Sequence, residues 1–129
     1  MNAKSIASLV RSAFEEKKGL DPLILDVRKL TDIADFFVLV HGSSDRHVRT
    51  LADHVLDCLS EKGIEPAHVE GLSGSKWILL DYTSVIVHVF YHETRKFYNL
   101  ERLWGDGQIV TPKRQNERRV KKTHRSRPA

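Results

Sequence analysis

An unbroken apolar run, Phe36-Phe37-Val38-Leu39-Val40, leads through the small-residue turn His41-Gly42-Ser43-Ser44 directly into a segment with regular helical periodicity. Val48, Leu51, Ala52, Val55, Leu56 and Leu59 recur three and four positions apart, Gly63 stops the helix and Pro66 prevents its resumption. A strand with no polar alternation must be covered on both faces, and the helix that follows it has a single apolar stripe to bury. Sheet and helix therefore need each other, which restricts the chain to an α/β arrangement. The same junction directs backbone N–H groups at one spot beside Arg46, Arg49, His41 and His47, a composition suited to phosphate. Whether that spot is a nucleotide site decides between an enzyme and a binding protein.

The remaining elements follow from local pattern. Ile6, Leu9, Val10, Ala13 and Phe14 mark an N-terminal helix that Gly19 ends. Leu23-Ile24-Leu25-Asp26-Val27 reads as a buried strand, with Thr31 to Asp35 as the turn into the next. A short strand is expected within 67–70. Trp77 to Asp81 and Val85 to Tyr91 make an antiparallel hairpin across Tyr82-Thr83-Ser84. Phe97, Leu100, Leu103 and Trp104 give a closing helix its apolar side. The order is αββαβββα, a single α/β domain with a mixed sheet and packed helices, without internal repeats.

Charge divides the chain at about residue 105. Residues 1–105 hold thirteen Lys and Arg against fifteen Asp and Glu, whereas 106–129 hold eight against two. The second segment has almost no apolar content with which to offset its ordering entropy, so 1–105 is expected to be the domain and 106–129 a disordered basic tail. Such a tail is attracted to phosphate backbones without regard to sequence. No apolar run approaches the ~20 residues that cross a bilayer, so no membrane partner is expected. The N-terminus resembles neither a secretory signal nor a transit peptide. With the single cysteine, Cys58, these features fit a cytoplasmic protein in a reducing compartment. Open sheet edges leave room for a homodimer.

Nucleotidyl transfer at the Gly42-Ser43 turn would need clustered carboxylates to hold divalent cations. Asp26 and Asp81 stand alone on their strands, Glu70 lies on a third segment, and no phosphate-loop or dinucleotide motif exists. The simpler reading is that Gly42 turns the chain, Ser43 or Ser44 caps the helix and Asp45 complements its dipole. Among seven histidines, His88 falls within a strand pattern and His92 past its end, so the pair does not share one helical face, and His47 and His54 lack an evident ligand set. Cys58, between Leu56 and Leu59, reads as a packed thiol. Trp77, Tyr82, Tyr91, Phe97, Tyr98 and Trp104 crowd the last third of the fold. Alternation puts Trp77, Leu79 and Asp81 on one strand face and Ile78, Leu80 and Tyr82 on the other. A tryptophan sharing its face with an aspartate suggests an interaction surface.

Several segments together resemble the bacterial ribosomal silencing factor family, also called the iojap family. They are Val40-His41-Gly42-Ser43-Ser44-Asp45-Arg46-His47-Val48, Leu51-Ala52-Asp53-His54-Val55, Val69-Glu70-Gly71, Trp77-Ile78-Leu79-Leu80-Asp81-Tyr82, Val85-Ile86-Val87-His88-Val89-Phe90 and Tyr98-Asn99-Leu100-Glu101-Arg102-Leu103-Trp104. The resemblance covers roughly residues 3–105 and is specific in combination. It implies a nucleotidyltransferase-like fold without catalytic residues, metal or cofactor. It also implies binding to the large ribosomal subunit through its universal protein number fourteen. Subunit joining is then blocked sterically and translation falls when nutrients are short. The residues expected to face that partner are Trp77, Tyr82, His88, Tyr91 and Arg95, chosen for expected exposure. The basic tail is expected to add contact with ribosomal RNA. The competing reading is a nucleotide-binding or nucleotidyltransferase enzyme using Gly42-Ser43 with Asp26, Glu70 or Asp81.

Overall fold

A computed structural model describes residues 1–74 and 76–91 and the backbone of 108–109. In chain order the elements are α1 (Ala3–Glu16), β1 (Leu20–Asp26), β2 (Phe36–Gly42), α2 (Asp45–Ser60), β3 (His68–Glu70), β4 (Trp77–Asp81), β5 (Val85–Tyr91) and β6 (Gln108–Ile109). The strands form one six-stranded sheet in the order β3-β4-β5-β2-β1-β6. β2 and β5 pair in parallel, from Phe36 opposite Val85 to Gly42 opposite Tyr91. The other pairings are antiparallel. The expected mixed α/β domain and the β4–β5 hairpin are therefore present. The expected closing helix over 97–104 lies outside the described residues.

The two central strands are apolar on both faces because both faces are used. Towards the helices, Ile24, Val38, Val40, Leu80, Val87 and Val89 pack with Val10, Phe14, Val48, Leu51, Val55 and Leu59. On the opposite face Leu23, Leu25, Phe37, Leu39 and Phe90 form a second cluster, with Trp77 and Ile86 packed against it. A run such as Phe36–Val40 thus serves two cores, as its lack of alternation requires.

Helix ends explain themselves locally. The Asn2 side chain accepts the Ser5 N–H at 2.8 Å and caps α1. The Ser44 hydroxyl accepts the His47 N–H at 3.1 Å and caps α2, with Asp45 in the first turn. Both helices close with the same paired hydrogen bonds. Gly19 N–H reaches the Phe14 carbonyl and Lys18 N–H that of Glu15; Ile64 N–H reaches Leu59 and Gly63 N–H reaches Ser60. Gly63 supplies the left-handed residue of the second motif at φ 78°, but in the first that position belongs to Lys18 at φ 60°. Gly19 therefore does not end α1 through its conformation, as the pattern suggested. It is small because a Cβ there would lie 2.7 Å from Val40 Cγ2.

Two boundaries also differ from expectation. β1 begins at Leu20 and carries one extra residue against β2 between Leu20 and Leu23. Pro22, which has no N–H to give a ladder, sits in that irregularity. At the other end, Gln108 and Ile109 pair with Asp26 and Leu25. The sheet thus reaches into the segment assigned to the tail, because the outer edge of β1 offers backbone groups that a two-residue strand can satisfy.

Candidate functional site

The strand-to-helix junction is already occupied by the protein's own side chains. Gly42 brings the strand so close to α2 that a Cβ would stand 2.9 Å from the Val48 nitrogen. Ser43 N–H donates to His47 Nδ1 at 3.0 Å, and Val48 N–H to the Ser44 carbonyl at 2.9 Å. With Nδ1 accepting, His47 Nε2 carries the ring proton and donates it to the Lys17 carbonyl at 2.9 Å. His47 thus staples the junction to the end of α1. Arg49 is turned aside onto Asp53 and the Leu72 carbonyl. Three of the N–H groups at this junction, those of Ser43, His47 and Val48, are thus taken up by His47 and Ser44.

The carboxylates of the enzymatic alternative are likewise dispersed. Asp26 is engaged by Arg28 through Nε at 2.9 Å and through Nη2, which holds its carboxyl below the usual range. Glu70 accepts from His68 Nε2 at 2.7 Å. Asp81 accepts the Thr83 N–H at 2.8 Å and shapes the β4–β5 turn, where Thr83 adopts φ 72°. Two strands stand between Asp26 and Asp81, a separation of about 14 Å at normal strand spacing. They do not converge on one cation.

The aromatic candidates divide between the two sheet faces. Trp77, half-buried at the start of β4, donates its indole N–H to His88 Nδ1 at 3.1 Å. His88 stacks on Phe90, with ring centroids 6.0 Å apart and planes 6° from parallel. Phe37 meets the His88 ring edge-on at 5.0 Å, and Trp77 lies 5.2 Å from Phe90. Tyr82 and Tyr91 belong to the helix-covered face instead. The expectation of exposure fails for Tyr82 and His88, which are 6% and 5% exposed. Period-two alternation makes both of them inward positions under packed layers. The Tyr82 hydroxyl has no hydrogen-bond partner among the described residues. Burial, and then nearby Glu65, push its pKa up to about 12. Half-buried Tyr91 carries the Lys76 ammonium 5.0 Å above its ring, a contact that the sequence pattern did not single out. Arg95 lies outside the described residues.

One further group was not foreseen. Glu16 at the end of α1 reaches His54 Nε2 at 2.7 Å, and Cys58 Sγ lies 3.5 Å from the same nitrogen. The positions of His54 and Cys58, four apart on one helix, announce that they share a face. Nothing local announces Glu16.

A family model described as "Ribosomal silencing factor during starvation" matches residues 1–129. The chain belongs to the ribosomal silencing factor family. It is 39% identical over 110 residues to the ribosomal silencing factor of Bacillus subtilis, covering 85% of this chain and 93% of that one. A crystal structure of a Chromobacterium violaceum protein superposes with a TM-score of 0.80 at 36% identity, over 88% of this chain and 92% of the other. A mouse protein named for mitochondrial assembly of the ribosomal large subunit is 26% identical over 110 residues, 81% of this chain but 47% of its own length. This member of the silencing factor family has a strand-to-helix junction that serves packing, and a tryptophan held by a buried histidine.

Proposed function

We propose that this protein acts by binding the large ribosomal subunit through its universal protein number fourteen and blocking subunit joining, without catalysing a reaction. Family membership and the names of its relatives support the ribosomal setting. The observation that carries the binding reading is Trp77: only partly buried, oriented by His88 and backed by Phe90. A rigid ring at a surface, its rotamer already paid for by packing, is the kind of anchor from which interfaces draw most of their affinity. The filled junction and scattered carboxylates favour this reading over nucleotidyl transfer.

The partner-facing residues in this proposal are Trp77, Tyr91 and Arg95, with Lys76 beside them. His88 acts from beneath as a positioning residue for the indole, while Tyr82 is buried on the opposite, helix-covered face. The tail beyond the sheet adds electrostatic contact with ribosomal RNA. No helix among the described residues is long and apolar enough to cross a membrane. The proposed site of action is the cytoplasm, and a homodimer would form through β3, the end strand of the sheet among the described residues. Sedimentation with separated subunits tests the reading. Co-migration with the large subunit and fewer whole ribosomes after remixing are expected; migration with neither subunit overturns it. Titration with magnesium and nucleoside triphosphates should give no heat and no thermal shift, and a saturable signal would restore the enzymatic reading.

A further inference from the structure

The Glu16–His54–Cys58 group stands apart from the Trp77 margin and has no part in the ribosomal reading. One carboxylate oxygen, one imidazole nitrogen and one sulfur lie within 4.8 Å of one another, drawn from two helices. His54 and Cys58 are half-buried and Glu16 is exposed, so the group is supported from below and open to solvent above. We propose that it is a binding site for a borderline-soft divalent cation of the zinc class, with three protein ligands and water in the fourth position.

The chemistry and the spacing both favour this assignment. Carboxylate, imidazole and thiolate are the donors zinc accepts, and they are a poor set for calcium or magnesium, which take oxygen. Tetrahedral zinc at ordinary bond lengths separates nitrogen and sulfur ligands by about 3.5 Å and nitrogen and oxygen ligands by about 3.4 Å. The Cys58 Sγ to His54 Nε2 distance is already 3.5 Å. The Glu16 oxygen, hydrogen-bonded at 2.7 Å, must withdraw by roughly 0.7 Å. That is a small rotation for an exposed side chain at a helix end. Local charge also suits a cation. Burial raises the Cys58 thiol pKa, and Glu16, Glu61 and Asp57 raise it further against the opposing charge of Lys17. The carboxylates that disfavour a bare thiolate favour a divalent ion beside it. On binding, the cation takes the His54 Nε2 lone pair, the neutral imidazole keeping its one ring proton on Nδ1, and displaces the Cys58 proton to solvent.

Occupancy would clamp the end of α1 to α2. Because only the folded chain assembles the three ligands, cation binding must raise thermal stability. The test uses the full chain, stripped with chelator under reducing conditions and titrated with zinc or cobalt(II). Cobalt is expected to give a thiolate-to-metal charge-transfer band and intense tetrahedral d–d bands at one equivalent. Zinc is expected to raise the melting midpoint by about 5 °C or more. Cys58→Ser should abolish the charge-transfer band. Glu16→Gln, an exposed change that leaves the packing intact, should weaken cobalt binding at least tenfold. His68→Gln, altering the separate His68–Glu70 pair, should change neither signal. No cobalt–thiolate band from the folded wild-type chain, or cobalt binding unaltered in Glu16→Gln, overturns the proposal. Neither result bears on ribosome capture, so the two readings fail independently.

Discussion

Gly71 is the position where a single methyl group does most to the candidate surface. It stands between β3 and β4 at φ 89°, and a Cβ built on it would lie 2.1 Å from the Trp77 carbonyl oxygen. The neighbouring atom is backbone, so no side chain can swing away. For an ordinary contact, which begins at 3.4 Å, the start of β4 must retreat by about 1.3 Å, carrying Trp77 with it. Gly63 provides the reference: it has φ 78° but nothing within 4 Å of a Cβ. Gly63→Ala should therefore cost only the left-handed penalty, ~1–2 kcal/mol. Gly71→Ala adds an overpacking cost of ~1–3 kcal/mol, for a total of ~2–5 kcal/mol. The gain of ~0.4–1 kcal/mol from stiffening the unfolded chain applies to both and cancels in the comparison. Urea unfolding followed by circular dichroism gives each cost by linear extrapolation. In thermal melts the Gly71 variant should fall by ~10 °C or more. Large-subunit capture should weaken in that variant even at temperatures where it is fully folded. If Gly71→Ala costs no more than Gly63→Ala, the close approach to the Trp77 carbonyl does not constrain the protein and the reasoning fails.

Trp77→Ala should weaken capture by more than ~1 kcal/mol in a folded protein, measured by sedimentation over a range of concentrations; unchanged affinity would move the surface elsewhere. Lys18→Gly should stabilise by ~0.5–1 kcal/mol in chemical denaturation, because the left-handed turn after α1 penalises a side chain. Tyr82→Phe should be neutral or stabilising at pH 7, since it deletes a buried hydroxyl that lacks a partner. The same residue sets an alkaline limit. Its pKa rises from 10.0 to about 12 on folding, so the unfolded chain loses the proton first and stability falls across that interval. Melts at successive pH values should show that fall, and the Phe variant should flatten it. Removing residues 110–129 should reduce the salt dependence of ribosome binding, and an identical salt slope would mark that segment as a passenger.

Much of the scaffold was legible because it rests on short-range physics. Periodicity in Val48 to Leu59 and Val10 to Phe14 located the helices, and the apolar run Phe36–Val40 declared a strand buried on both faces. The Ser44 cap and Gly63 stop are local as well. Alternation even placed Trp77 and Tyr82 on opposite faces. It could not say which face the helices would cover, and so Tyr82 and His88 were expected at the surface. The position of Gly19 after α1 predicts a conformational role, whereas its actual constraint is the distant Val40 side chain.

The amino-acid sequence by itself determined the order of elements from α1 to β5, their amphipathic faces and the family, since periodicity, capping and motif spacing all act within a few residues. Tertiary structure alone decided what meets across long separations. It placed the Lys17 carbonyl on His47, turning a candidate phosphate cradle into a packed corner. It also brought His88 beneath Trp77 and Glu16 beside His54 and Cys58. These contacts join groups from different elements, and their geometry exists only after the cores on both sides of the sheet have closed.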